Sequence, residues 1–221
     1  LGCPSGLFFR TADSYASKDM ISRLLFGIFL AAALFPSLAS GNPRGAPATL
    51  SCTGLFARNV THASLVKAFG KHNVALLSVG VGEGETVKAS VIFPRDKARR
   101  FEILWIDEKR RRNPQEIRLG IDSSLRTAQG IGLKTTLAEV ETLNGRPFTL
   151  WGFGWDYGGT TTDWHDGKLG TQPGGCTLEL RFIQVTQTGA DISGERSFTS
   201  DNPGIRSAAP VVDAVSLKYP Q

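Results

Sequence analysis

Residues 150–169, "LWGFGWDYGGTTTDWHDGKL", hold three of the chain's four tryptophans, three aspartates and a histidine. Read as a strand continuing from Phe148, the stretch has a two-residue period. One face carries Phe148, Leu150, Gly152 and Gly154; the other carries Trp151, Phe153, Trp155 and Tyr157. The glycines leave bare backbone on which an aromatic ring or a helix from elsewhere can rest. "DYGG" can turn, and Asp166-Gly167 is a hairpin signal. The stretch therefore reads as a twisted antiparallel hairpin or meander whose aromatics fill a core.

Two other uses compete with that one. If part of the ladder is exposed, Trp151, Trp155, Tyr157 and Trp164, with Asp163 and His165 beside them, form a platform for a sugar ring or for a partner's side chains. A cation site from Asp156, Asp163, His165 and Asp166 matches no calcium loop. Gly-Gly-Thr-Thr-Thr separates the first two aspartates, and no glutamate follows at ligand distance. No metal and no cofactor are expected, and His165 reads as a turn residue.

Moving outward, "GIGLKTTLAEVETLNGRPFTL" (130–150) pairs Thr136 with Glu139 at capping-box spacing. Leu137, Val140 and Leu143 make an apolar stripe, and Asn144-Gly145 is a stop. "TTTDW" and "CTLELRFIQV" read as strands, "TGADISGERSFTSDNPGIRSAAP" (188–210) as a long loop, and "VVDAVSLKY" as a closing strand. Toward the N-terminus, "NVTHASLVKAFGK" (59–71) is a helix with Thr61 as N-cap and Gly70 as stop. It precedes strand-like runs "NVALLSVG", "TVKASVIFP", "RRFEILWID" and "EIRLGID", with "GVGEGE" as a turn and "EKRRRNPQ" as a loop. The fold class is α+β: antiparallel meanders carrying about two helices, with 52–121 and 128–221 as possible tandem related halves.

The run "GLKTTLAEVETLNGRPF" (132–148) resembles the Gly-x-x-x-Thr-x-x-Glu-Val-x-x-x-x-Gly-x-Pro pattern of small bacterial envelope proteins. These are the SmpA/OmlA-type outer-membrane assembly lipoproteins (BamE) and the β-lactamase inhibitor protein, built from helix-plus-sheet units. A weaker echo lies at "SLVKAFGKHNVAL" (64–76), whereas Lys134 and Thr135 stand where a small-residue turn belongs. The resemblance implies an α+β protein that works through its surface, with no catalytic residues to transfer.

The only methionine, Met20, opens "MISRLLFGIFLAAALFPSLAS", a basic start, an apolar run and a small-x-small site near Ala39. That is the pattern of a secretory signal peptide over 20–39, with an apolar run too short to cross a bilayer. Residues 1–19 read as upstream sequence that is not native, 40–51 as a flexible tether and 52–221 as one globular domain. The processed chain is expected to be periplasmic or secreted and not transmembrane. Cys52 follows Thr49-Leu50-Ser51, which is not a lipobox; with Cys176 it forms an isolated pair that favours a disulfide in an exported protein.

The net charge is +5, and +4 once residues 1–39 and their three cations and two acids are set aside. Nucleic acid is an improbable partner for an exported chain, so anionic lipid, cell-wall polymer or an acidic protein would be the anionic choices. Arg95, Lys97, Arg99 and Arg100 lie at one end of "FEILWID", and Lys109, Arg110, Arg111 and Arg112 at the other. The second group is either solvated loop charge or a docking patch for an anionic surface. There is no G-x-S-x-G, no G-x-x-x-x-G-K-[ST] and no H-E-x-x-H. No catalytic residue is assigned. The expectation is an exported, non-enzymatic binding protein that recognises an envelope or extracellular protein partner, as an inhibitor or assembly factor does. The alternative is a cell-wall polysaccharide-binding protein or hydrolase using the 150–169 hairpin.

Overall fold

The computed structural model describes residues 49–221; the expected leader and signal peptide and most of the expected tether lie outside the described residues. Both expected helices form where their end signals stand. In α1 (His62–Phe69) the Thr61 hydroxyl accepts from the Ser64 N–H at 3.1 Å while Ser64 Oγ accepts from the Thr61 N–H at 2.9 Å. In α2 (Leu137–Asn144) Thr136 and Glu139 make the same reciprocal pair. These bonds satisfy N–H groups that a helix start leaves open, and hydrogen bonds from Thr136 hold the Glu139 carboxyl below its usual range. Gly70 at φ 85° and Gly145 at φ 81° end the two helices in a region that β-carbon-bearing residues avoid.

The four strand runs of the first half pair in order as β2 (Val74–Gly82), β3 (Glu85–Ile92), β4 (Phe101–Asp107) and β5 (Arg112–Leu119). With β9 (Thr177–Ile183) and β11 (Val211–Lys218), counting strands in chain order, they make a six-stranded antiparallel sheet ordered β2-β3-β4-β5-β11-β9. The run read as a loop, 108–115, is a loop only to Arg111. Arg112–Gln115 belong to β5, and a register shift opposite Leu104 and Trp105 accommodates Pro114, which has no N–H for the ladder.

The second half does not repeat this meander. Its short strands β7 (Thr149–Trp151), β8 (Thr161–Asp163) and β10 (Ser197–Thr199) form a separate sheet ordered β10-β7-β8. The expected long loop therefore contains β10 and a five-residue helix, α3 (Pro203–Ser207). The long strand expected through Tyr157 stops at Trp151, because the chain turns at Gly154, φ 85°. Gly152 does offer bare backbone. A β-carbon there would lie 2.7 Å from the Gly194 carbonyl and 3.0 Å from the Phe198 ring.

One face of the large sheet packs on α1. Phe56, Phe69, Phe93 and Phe101 meet there edge to face or stacked. Phe148 links the small sheet to Trp164 and Phe182. The Cys52–Cys176 disulfide is present, with Cα atoms 6.2 Å apart, and joins the start of the described chain to the turn before β9. Order begins before Cys52, since Thr49–Leu50 (β1) pair in parallel with Arg126–Thr127 (β6), so the last residues of the expected tether are structural. Among the described residues no helix is long and apolar enough to cross a membrane.

Candidate functional site: a trough on the open sheet face

The face of the six-stranded sheet that points away from α1 is neither flat nor bare. Arg118 on β5 donates from Nη2 to the Gly80 carbonyl on β2 at 2.8 Å. Two strands separate β2 from β5, so a flat sheet would hold them about 14 Å apart. The sheet therefore rolls over its own open face. The pairing shows where: β3 meets β4 only over Ser90–Ile92, so the outer part of the β2–β3 hairpin leaves the plane. A small apolar cluster of Val79, Ala89, Val91 and Leu104 fills the inside of that roll.

Beyond the cluster the roll opens into a trough of about 680 Å³. Its floor is β5, β11 and β9, one wall is the hairpin tip Ser78–Glu83, and the opposite rim is Asp156 and Tyr157. Alternation puts Arg118, Glu116, Ser216, Lys218, Glu179 and Arg181 on this floor, while Ile117, Leu217, Leu178 and Leu180 point into the core. The floor charges are ordered by pairing. Glu102, nearly buried, accepts from Arg100 at 2.7 Å and from Arg118 at 2.8 Å. Lys218 reaches Glu179 at 2.6 Å, and Arg181 reaches Asp213 at 2.6 Å. Ser216 donates to Glu116 at 2.5 Å. Among the described residues no histidine or cysteine lines the trough.

The 150–169 stretch divides around this feature. Trp151, Trp155 and Tyr157 come together, with ring centroids 5.9 and 5.4 Å apart, and Tyr157 is exposed at the trough rim. The rings stand at 76° and 65° to one another, so they do not make a flat stacking surface. Trp155 is fixed by an indole N–H bond to the Gly152 carbonyl at 2.9 Å. Trp164 is in the core instead: it is 7% exposed, and its indole N–H donates to the Leu178 carbonyl at 2.9 Å. It drops out of the candidate platform because the chain leaving β8 turns its ring inward against Phe148.

Asp163 ends β8, and His165 stands on the turn that follows. The Asp163 carboxylate accepts the His165 N–H at 2.7 Å, and His165 Nε2 lies 2.8 Å from the Thr149 hydroxyl. His165 and Asp166 both have positive φ, 51° and 58°, the backbone of a tight two-residue turn. Among the described residues no group of three histidine, cysteine or acidic side chains could hold a metal.

The basic loop is only partly neutralised. Arg110 and Arg112 both pair with Asp107, at 3.4 and 3.2 Å, while the Arg111 carbonyl accepts the N–H of His62 at the start of α1. The Lys109 and Arg111 side chains make no ion pair among the described residues. At the opposite end of β4, Arg99 pairs with Asp96 and Lys97 with Asp122.

A Ser–His contact also exists. The Trp105 indole donates to Ser90 Oγ at 3.0 Å, and Ser90 lies 2.8 Å from His62 Nδ1. Ser90 is fully buried on the helix-facing side, so no substrate carbonyl can reach it, and the cluster is structural. Burial and Arg111 push the His62 imidazole below its usual range.

Sequence reading missed the trough although it named most of its parts. The turn "GVGEGE" is legible, but that it folds back so that Gly80 meets Arg118, 38 residues on, has no local signal; only the alternation of charge in "EIRL", "LELR" and "VSLK" hints at a polar sheet face. No family model, curated protein or solved structure matches this chain.

Proposed function

We propose that the protein is an exported, non-enzymatic binding protein that takes part of a protein partner into the trough. The single observation that carries this reading is the rolled sheet, which keeps a row of charged side chains open to solvent between a glycine-rich arm and an exposed tyrosine. Charged groups across an interface select partners and fix orientation, and an aromatic at the rim contributes contact area at small entropy cost. The disulfide is the bond of an oxidising compartment, in keeping with export. The helix-turn-strand run at 132–148, which resembles envelope modules that act through their surfaces, supports the same assignment.

The saccharide alternative draws on the aromatic trio, but near-perpendicular rings present edges where a sugar face needs a flat ring. The test is an affinity pulldown from the native extracytoplasmic fraction with wild type, Tyr157→Ala and a trough-filling Ala214→Trp. A protein retained by wild type and lost with both variants supports the proposal. Retention of polysaccharide alone, or of the same protein by all three baits, ends it.

A further inference from the structure

Resting on the trough as the binding face, we infer that its occupant is cationic: a lysine- or arginine-bearing loop of the partner protein. The argument is a balance of charge inside a protein whose overall charge has the opposite sign. The chain carries a net +5, yet four cations and six carboxylates line the trough.

All four cations are already engaged. Arg100 and Arg118 hold Glu102, Lys218 holds Glu179, and Arg181 holds Asp213. The three remaining carboxylates, Glu83, Glu116 and Asp156, have no cation within ion-pair distance among the described residues. They come from three different parts of the surround: the hairpin tip, the floor and the aromatic rim.

An incoming anion would find no unpaired cation and would have to break an existing pair. An incoming ammonium or guanidinium meets carboxylates that have no cation to give up, the one side-chain donor among their contacts being the neutral Ser216 hydroxyl on Glu116. Tyr157, 54% exposed beside Asp156, supplies a ring face or phenol to the same group. A space of about 680 Å³ suits a few side chains rather than a whole domain, so the partner would insert a loop or terminus. The favourable encounter is also local, because the surrounding surface of a basic protein repels the same partner elsewhere. Orientation is thereby selected as well as affinity.

The experiment is a calorimetric titration of the full chain with short oligolysine, oligoglutamate and neutral glycine-serine peptides of equal length. Variants are Glu116→Gln with Asp156→Asn, and Glu195→Gln as an exposed acid outside the trough. Oligolysine is expected to bind wild type and Glu195→Gln alike. Affinity should fall by about tenfold in the double variant, and with added salt. Both glutamine and asparagine keep the shape of the side chains they replace, and coincident thermal transitions check folding. Equal oligolysine affinity in wild type and double variant overturns the inference. So does preferential binding of oligoglutamate or the neutral peptide; if that binding is lost with Ala214→Trp, only the charge assignment fails and the trough remains the binding face.

Discussion

Residues 52–121 and 128–221 each begin with an eight-residue helix, a threonine capping box and a positive-φ glycine, and there the likeness ends. In the first half, strands of seven to nine residues pair with their chain neighbours, so backbone hydrogen bonds do most of the organising. In the second half β9 and β11 still pair at length, but β7 and β8 are three residues each, and around them single side chains take over. Buried Asn144 shows how. Its amide donates to the Arg146 and Trp164 carbonyls and accepts the Leu169 N–H, tying the end of α2 to the turn that carries His165. Regular pairing spreads stability over many interchangeable residues, whereas a knot of this kind concentrates it in a few.

Replacing both cysteines tests what joins the halves and should have the largest effect. A disulfide between residues 124 apart restricts the unfolded chain, and its loss is expected to cost about 4–5 kcal/mol, read as a drop in the denaturation midpoint. Asn144→Ala comes next, at about 3 kcal/mol, since three hydrogen bonds, two of them buried, lose their partner at once. Its counterpart at the end of α1, Asn73, donates only to the Phe69 carbonyl, and Asn73→Ala should cost about 1 kcal/mol. Equal losses at the two positions would break the contrast between the halves.

Glu102→Ala sharpens it from the other side. Removing a nearly buried carboxylate that holds two arginines should cost about 2 kcal/mol and free the arm that Arg118 pins, seen as faster hydrogen exchange over Ser78–Glu83. Thr61→Ala and Thr136→Ala test the shared beginning and should cost about 1 kcal/mol each in chemical denaturation.

The smallest effect concerns acidity. His62 has a lowered pKa in the folded chain, so the unfolded chain takes up the proton first. Its contribution is full above the ordinary value of 6.5 and declines as pH falls from there through the lowered folded value. His62→Gln should remove that part of the pH dependence, measured as thermal midpoints across the acid range.

What the residues alone disclosed follows the range of the forces involved. Helix ends were legible because a cap is settled within four residues, as Thr61 with Ser64 and Thr136 with Glu139 show. The four-strand meander was legible from β-branched runs and tight turns. The close approach at Gly152 was foreshadowed by its missing side chain, although the occupant, Phe198, lies in a polar run that carries no strand pattern. Trp164 could not be assigned to core or surface, because alternation along 148–157 says nothing of a strand that begins at Thr161. The trough was least legible of all. It depends on Arg118 meeting Gly80, a bond between a side chain and a carbonyl whose identity the sequence does not mark.

The Cys52–Cys176 bond has one more consequence, for survival among proteases. It closes a covalent ring through both main helices and every strand from β2 to β8. The exposed glycine-rich tip at Gly82–Gly84 is the natural place for a nick, and it lies inside that ring. A chain cut there stays one particle, migrating as a single band without reductant and as two with it. The arm could thus be clipped while the rest of the molecule persists intact, leaving a binding face altered by damage that ordinary size measurement would not reveal.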